Sequence, residues 1–249
     1  MNKQYSVILV IPCYNEEKRL DLTSYNEFLM SNPDFFILFV NDGSSDKTKT
    51  ILNPPGLSAG NFSLIELEKN SGKGEAVRRG VNHCLSDFEI EYIGFADADL
   101  STPLQEFLHF KAEMKKDPDI NIVLGSRVQM LGKNIKRNLF RHWFSRIIAT
   151  AICKVIDEPV YDTQCGAKLF TRNTASQLFS EKFISKWLFD VELLSRYKQK
   201  FGSEQFKRTI IEYPVKNWTE KPNSKMRYHY IFRIIPDLVR IKKHYFRKK

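Results

Sequence analysis

The sequence predicts an α/β fold with a mostly parallel central sheet flanked by helices. Three observations carry that reading: apolar runs rich in β-branched and aromatic residues, helical patterns between them, and a polar cluster at the end of each run. Runs that are apolar throughout, rather than alternating, belong to strands buried on both faces. Helices between such strands supply the long crossovers that parallel pairing needs.

The first run is YSVILVIPC (5–13), followed by a helical pattern over 16–31. FFILFVND (35–42) precedes a helical stretch at 45–53, and FSLIELE (62–68) precedes a longer one at 73–86. EYIGFAD (91–97) leads to a helix over 103–116, for which Thr102, Pro103 and Gln105 read as N-cap, first helical residue and capping-box partner. INIVLGS (120–126) is the fifth run. The second half is less regular. Residues 137–156 read as a helix with Leu139, Phe140, Trp143, Phe144, Ile147, Ile148, Ala151, Ile152 and Val155 on a wide apolar arc, punctuated by Arg137, Arg141, Arg146 and Lys154. A short strand at AKLFT (167–171), a helix at 188–200 and a strand at TIIEYPV (209–215) follow. From Tyr228 the chain is aromatic and basic, and reads as helical on either side of Pro236.

At 249 residues the chain is long enough to bury a large core. Its 42% hydrophobic and 27% charged residues exclude a disordered or low-complexity protein. The four cysteines lack CxxC or Cys/His ligand spacing and read as free thiols, most of them core filler, in a reducing compartment. The apolar run at the amino terminus is too short for a signal peptide, and no window holds 18 uncharged apolar residues, so no transmembrane helix is expected. The net charge of +10 is unevenly placed: Lys225 to Lys249 holds nine Lys and Arg against one acid, or +8 of that total. Ile120 to Ile156 adds seven Lys and Arg with no acid. Such segments are either solvated faces or surfaces for an anionic partner, nucleic acid or membrane.

In parallel sheets ligands bind beyond the carboxyl ends of the strands. That is where PCYNEE, NDGSSD, KNSGKG, DADLS and GSR fall in this sequence. Asp97 and Asp99, two residues apart, can share one side of the chain at the strand end. Turn chemistry accounts for such acids in general; a divalent cation on a diphosphate accounts for two of them together, and hard carboxylate oxygens suit Mg²⁺ or Mn²⁺. NDGSSD reads as a turn with Ser45 or Asp46 capping the next helix, or as a site where Asp42 accepts from a base N–H. NSGKGEA lacks the spacing of a phosphate-binding P-loop, yet Gly72 and Gly74 flank Lys73 at a helix amino terminus, a geometry suited to anions. Arg127 leaves a buried strand either as a structural ion pair or as a clamp on phosphate.

Taken in order, PCYNEE, DGSSD, GKGEA, DAD, GSR and DTQCGAKLF resemble glycosyltransferase family 2, of the GT-A fold. Within it the chain is similar to the polyprenyl-phosphate (dolichyl-phosphate) sugar synthases, and to their glucosyl branch in DTQCGAKLF and VKNWTEKPNSKMR. The resemblance spans about residues 5–225. It implies an inverting enzyme that moves a hexose, glucose from UDP-glucose before any GDP-sugar, onto a polyprenyl phosphate with Mg²⁺ or Mn²⁺. It implies that Pro12, Tyr14, Asn15 and Glu16 border the nucleoside, that Asp42 reads the base, and that Gly72 and Lys73 line the nucleotide. Asp97, Ala98 and Asp99 would meet the donor, the two acids through the metal, and Arg127 would meet phosphate. Arg141 and Ser145 match the acceptor-phosphate pair, Asp162 and Gln164 the segment over the sugar, and Asp190 a further acid of the site. It also implies a catalytic domain over 1–225, with a donor half to about 127 and an acceptor half over 128–225 containing the helix 137–156; the basic, aromatic residues 226–249 read as a membrane-interface tail. Two positions depart from the pattern. Ser101 stands where the mannosyl branch often has Gln, and Ala167 where an aromatic is usual.

A phosphate acceptor is largely ionised near neutrality and needs no strong base. Arg- and Lys-rich aromatic segments suit anionic head groups, so a cytoplasmic enzyme peripheral to the membrane is expected, alone, as a homo-oligomer or with a membrane-protein partner. No nucleic-acid partner is expected, although the basic tail and the pI of about 9.3 keep that class as an alternative. A second alternative keeps the donor site and takes a soluble or cell-surface glycan, with Asp190 as the base that an alcohol acceptor requires.

Overall fold

The computed structural model describes residues 4–53, 60–136, 139–219, 221 and 231–246, the side chains at 134, 136, 139–146 and 231–233 excepted. β1 (Tyr5–Cys13) alternates its side chains between two cores: Ile8 and Val10 face one, Val7, Leu9 and Ile11 the other. α1 (Leu22–Ser31) leads to β2 (Phe35–Asp42), buried at every position. α2 (Thr48–Leu52), β3 (Phe62–Leu67), α3 (Lys73–Asp87), β4 (Ile90–Phe95), α4 (Glu106–Lys116) and β5 (Ile122–Ser126) complete the first half. β6 (Asn134–Lys136), α5 (Leu139–Ile156), β7 (Lys168–Thr171), α6 (Arg172–Leu178), α7 (Phe189–Thr209), β8 (Ile210–Pro214), β9 (Asn217–Thr219) and α8 (Ile231–Phe246) form the second.

Seven strands make one sheet in the order β3-β2-β1-β4-β7-β5-β8, and β6 pairs with β9 apart from it. β7 runs antiparallel to both β4 and β5, while the other pairs described are parallel. The chain proceeds from β1 outward through β2 and β3, then returns to lay β4 on the other side of β1. The carboxyl ends of β1 and β4 therefore border the switch point where doubly wound sheets bind ligands. Pro12 lies beyond the last β4 partner of β1, Val10 opposite Phe95, so its missing N–H costs no ladder bond there. α1, α2 and α4 cover one face through Tyr25, Phe28, Leu52, Phe107, Phe110 and Met114. α3, α5, α6, α7 and α8 cover the other through residues such as Val77, Ile152, Ala175, Leu193 and Ile241.

Several boundaries differ from the sequence reading. The helix expected from residue 16 starts at Leu22, where Asp21 accepts from the Ser24 N–H, because 16–20 form a turn closed by Arg19 and Leu20 N–H on the Glu16 carbonyl. α4 starts at Glu106, since Glu106, Phe107 and Leu108 bond three residues back in a tighter first turn. Thr102 is thus not its N-cap; the hydroxyl is buried against the Cys165 sulfur at 4.0 Å. Asp46 rather than Ser45 serves α2, accepting from the Thr48 N–H. α7 outruns its expected end and continues past a kink at Gly202 (φ 81°). α6, β6 and β9 were not anticipated, being too short for a periodic signal. The segment set apart as a tail is partly core: α8 buries Leu238, Ile241 and Tyr245 among residues of α5 and α7, while Ile235 and Val239 stay exposed. All four cysteines are free, and Cys13, Cys84 and Cys165 are buried.

α3 can lie close to the sheet because residue 80 is glycine. A Cβ there would stand 2.5 Å from Val10 Cγ1 and 2.8 Å from Val40 Cγ2. Gly80→Ala is expected to cost about 1–3 kcal/mol through overpacking, read as a lower denaturant midpoint with unchanged m-value.

Candidate active site

The carboxyl ends of β1, β2, β4 and β5 converge with the segment that enters β7. After β1, Asn15 adopts φ 50°, a left-handed geometry that Asn tolerates. Its N–H donates to the Ser44 hydroxyl and its side-chain oxygen accepts from the Ser45 N–H, so the first two strand-end loops are tied together. Glu16 is buried, with its N–H on the Thr48 hydroxyl at 2.7 Å and its Oε1 on Arg19 Nη2 at 2.6 Å. Tyr14 is exposed and Pro12 half-buried beside them.

Asp42 ends β2 almost fully buried. Its Oδ1 accepts from the Ser71 N–H at 2.7 Å and its Oδ2 from the Gly72 N–H at 2.9 Å. Burial pushes this carboxyl above its usual range, against the pull of the two N–H groups. In this geometry Asp42 holds the loop before α3. Gly72, at φ 94°, lets that loop turn directly into the helix, and Lys73 begins it.

Lys73 Nζ reaches across to Asp97 Oδ1 at 2.5 Å. Burial alone would raise the Asp97 carboxyl, but Lys73, with Arg127 and Lys168 behind it, outweighs burial and holds it below the usual carboxylate range. Asp99 accepts on Oδ1 from the Ser101 N–H and hydroxyl, at 3.0 and 2.7 Å, and on Oδ2 from Arg19 Nη1 at 3.3 Å. Between the two acids Ala98 is buried, and its carbonyl accepts from the Tyr25 hydroxyl.

The antiparallel entry of β7 sets the other wall. β4 and β7 pair Phe95 with Lys168, and two steps further this register puts Gly166 opposite Asp97. A Cβ on Gly166 would lie 1.9 Å from Asp97 Oδ2, so this position accommodates no side chain while Asp97 keeps its place. Beyond β5, Arg127 donates from its N–H and Nε to Asp162 Oδ2 (3.0 and 2.7 Å) and from Nη2 to Oδ1 at 2.8 Å. Nη1 takes no part in this fork, and the guanidinium stacks 5.4 Å from the Trp218 ring centroid. Burial works against the Arg127 charge, but Asp162 more than offsets it and strengthens the cation. Glu212 fixes the segment from below, accepting from the Tyr161 and Asp162 N–H groups. Gln164 is half-buried just after it.

Asp97 and Asp99 thus present hard oxygens at the switch point, and the missing side chain at Gly166 is what accommodates the Asp97 carboxylate there. Among the described residues no three His, Cys, Asp or Glu side chains group as metal ligands. Two carboxylates fit a Mg²⁺ or Mn²⁺ that takes its remaining ligands from water and substrate phosphates. The rim therefore suits a divalent cation that arrives with a diphosphate.

A family model described as glycosyl transferase family 2 matches residues 8–179, from β1 to the end of α6, and so includes every strand end of this rim. The chain belongs to glycosyltransferase family 2. This glycosyltransferase is 34% identical to a dolichyl-phosphate beta-glucosyltransferase of Trichomonas vaginalis, over 93% of this chain and 69% of that protein. It is 35% identical to the dolichyl-phosphate beta-glucosyltransferase of Homo sapiens, over 90% of this chain and 70% of the relative. Among solved structures, glucosyl-3-phosphoglycerate synthase from Mycobacterium tuberculosis with Mn²⁺, UDP-glucose and phosphoglyceric acid aligns at a TM-score of 0.66. The identity there is 17%, over 96% of this chain and 80% of that one. The same enzyme with Mg²⁺ and UDP aligns at 0.65, also at 17% identity, over 95% and 79%. These alignments establish the GT-A fold of the glycosyltransferase.

Two charged residues of the site escaped the sequence reading. Arg19 lies in the turn after β1, where its i,i+3 relation to Glu16 was the available signal. Lys168 was visible as a cation inside the apolar run CGAKLF. It is fully buried; its Nζ donates to Asp190 Oδ1 at 2.6 Å and to the Cys165 carbonyl at 2.7 Å. Asp190, in the first turn of α7, therefore lies beneath the rim with a cation on it. Arg141 and Ser145 belong to α5, but their side chains lie outside the described residues.

Breaking a buried pair leaves one charge uncompensated. Lys168→Met is expected to destabilise the glycosyltransferase by about 3–5 kcal/mol, measured by denaturant unfolding. Lys168→Met combined with Asp190→Leu should recover much of that loss, because no charge then stays buried.

Proposed function

We propose that this glycosyltransferase moves glucose from UDP-glucose to the phosphate of a dolichyl or other polyprenyl phosphate, with inversion at the anomeric carbon. The observation that carries the choice of acceptor is the burial of Asp190 against Lys168. An alcohol acceptor must lose a proton to a base, and a buried carboxylate whose Oδ1 is already taken by Lys168 Nζ is poorly placed for that task. A phosphate monoester is already mostly ionised near neutrality, so the site needs only to hold it in line and to neutralise the departing diphosphate. The names of the relatives at 31–35% identity support the same acceptor and sugar, and the UDP-glucose in the structural neighbour supports the donor, in preference to a GDP-sugar.

In this reading Pro12, Tyr14, Asn15 and Glu16 border the nucleoside, and Asp42 shapes the nucleotide loop around Gly72. Lys73 and Arg127 face the diphosphate, with Asp162 orienting the Arg127 fork and Gln164 beside the sugar. Asp97 and Asp99 would hold Mg²⁺ or Mn²⁺, which when bound offsets the charge of the leaving UDP. Arg141 and Ser145 on α5 receive the acceptor phosphate.

No helix among the described residues is long and apolar enough to cross a membrane; in this reading the described domain meets its lipid at the membrane surface. α5 and α8 pack together; they expose Ile147, Ile235 and Val239, and α8 adds exposed Arg240, Lys242 and Lys243. Aliphatic side chains entering the interface and cations meeting anionic head groups support peripheral binding, which we assign to the cytoplasmic face.

Radiolabelled glucose from UDP-glucose is expected to appear in a polyprenyl-phosphate product when Mg²⁺ or Mn²⁺ is present and to vanish with chelator. Label found only in water-soluble product would sink the lipid acceptor. Arg141→Ala should lower kcat/KM for the lipid phosphate roughly 10²-fold, the scale of a lost charged contact, with UDP affinity unchanged. Ile235→Ser together with Val239→Ser should weaken cosedimentation with vesicles containing anionic lipid while leaving donor binding intact.

A further inference from the structure

Both rim acids already carry a cationic side chain. Lys73 lies on Asp97 at 2.5 Å, and Arg19 bridges Asp99 Oδ2 at 3.3 Å and Glu16 Oε1 at 2.6 Å. Arg19 is well shielded, its side chain 16% exposed, with Asp99 at 15% and Glu16 at 9%. Charges in such surroundings interact more strongly than at an open surface. The other oxygen of Asp99 accepts two bonds from Ser101. A divalent cation that takes Asp99 as ligand through Oδ2 therefore competes with Arg19 Nη1, a like charge already on that oxygen. Nη2 keeps its Glu16 partner, while the displaced Nη1 loses a carboxylate in a shielded position and needs a new acceptor there. A diphosphate supplies one, and the planar fork of Arg suits phosphate oxygens.

We propose that Arg19 is an exchangeable counter-ion of the donor site: it bridges Glu16 and Asp99 in the free protein, and its Nη1 transfers to the nucleotide diphosphate as Asp99 passes to the metal. The inference rests on the donor reading above and assigns a positioning role to a residue outside the motifs that carried that reading. Its consequence is ordered uptake. Free metal ion binds weakly, because it competes with a side chain already in place. Metal with nucleotide binds well, because the displaced cation is taken up by the incoming phosphates. Metal and nucleotide are then reciprocally coupled through Arg19.

Electron paramagnetic resonance of Mn²⁺ titrated into the full chain, with and without UDP, tests this without any turnover. Arg19→Gln is expected to bind free Mn²⁺ about tenfold more tightly than wild type and UDP in the presence of Mn²⁺ about tenfold more weakly, within the usual range of coupling between sites. Arg19→Lys keeps a charge near Asp99, so it should retain weak free-Mn²⁺ binding while losing part of the UDP affinity. Circular dichroism melts of both variants confirm a folded chain. If wild type takes up Mn²⁺ with UDP but Arg19→Gln leaves either affinity unchanged, the counter-ion role is overturned and the donor reading stands. Tight free-Mn²⁺ binding by Arg19→Lys, equal to that of Arg19→Gln, overturns the role as well. Absence of Mn²⁺–UDP uptake by wild type overturns the donor reading itself, and this inference with it.

Discussion

At the carboxyl end of β4 the Asp97 carboxylate lies against the backbone of Gly166, where a Cβ would come within 1.9 Å of Oδ2. This contact follows from the one reversal of strand direction in the described sheet. β7 enters antiparallel between β4 and β5, so the segment leading into it arrives at the rim where parallel neighbours end. With that segment come Asp162 for Arg127 and Lys168 for Asp190. The first half and the later part of the chain thus share one wall, and the absence of a side chain at one position lets them approach.

The charges are arranged in depth. Below the rim, Lys168 and Asp190 are closed off from water. At the rim, Lys73 meets Asp97, Arg19 meets Asp99, and Arg127 meets Asp162. The deep pair has little access to an incoming ligand and serves as a floor, its field felt by Asp97 and Lys73 above it. The rim pairs are more accessible, and in the proposed function their cations would meet phosphate oxygens. A site that must receive a highly charged diphosphate and release it again benefits from cations that are prepositioned but not committed.

This division of labour fits an enzyme whose acceptor brings its own negative charge. The work lies in alignment and neutralisation, and the protein provides both through ion pairs. The elements proposed to meet the lipid, α5 and α8, lie on the sheet face covered by α3, α6 and α7, and α8 is anchored there through Leu238, Ile241 and Tyr245. Ser185 and Asp237 link α8 to the loop before α7, and Lys186 of that loop packs close to Gly72. Through that loop α8 is thus linked to the segment that precedes α3.

The apolar runs at 5–13, 35–42, 62–68, 91–97 and 120–126 were enough to indicate a sheet covered on both faces, because sustained burial leaves a contiguous apolar stretch, although β3, at the sheet edge, is only half-buried. The order of the motifs at the strand ends likewise pointed to the donor site, since each motif is a contiguous stretch. Of the alternatives left open for Arg127, the fold shows the ion pair, with Asp162; the clamp on phosphate belongs to the proposed function. Asp42 was read as a base contact, and in the fold its oxygens hold Ser71 and Gly72. Arg19, Lys168 and the need for glycine at 166 had no comparable signal. Their partners are 80, 22 and 69 positions away: Asp99, Asp190 and Asp97. Local patterns determine which strands are buried and where polar residues gather. Which acid meets which cation depends on strand order and direction, and those are decided only when distant segments pack.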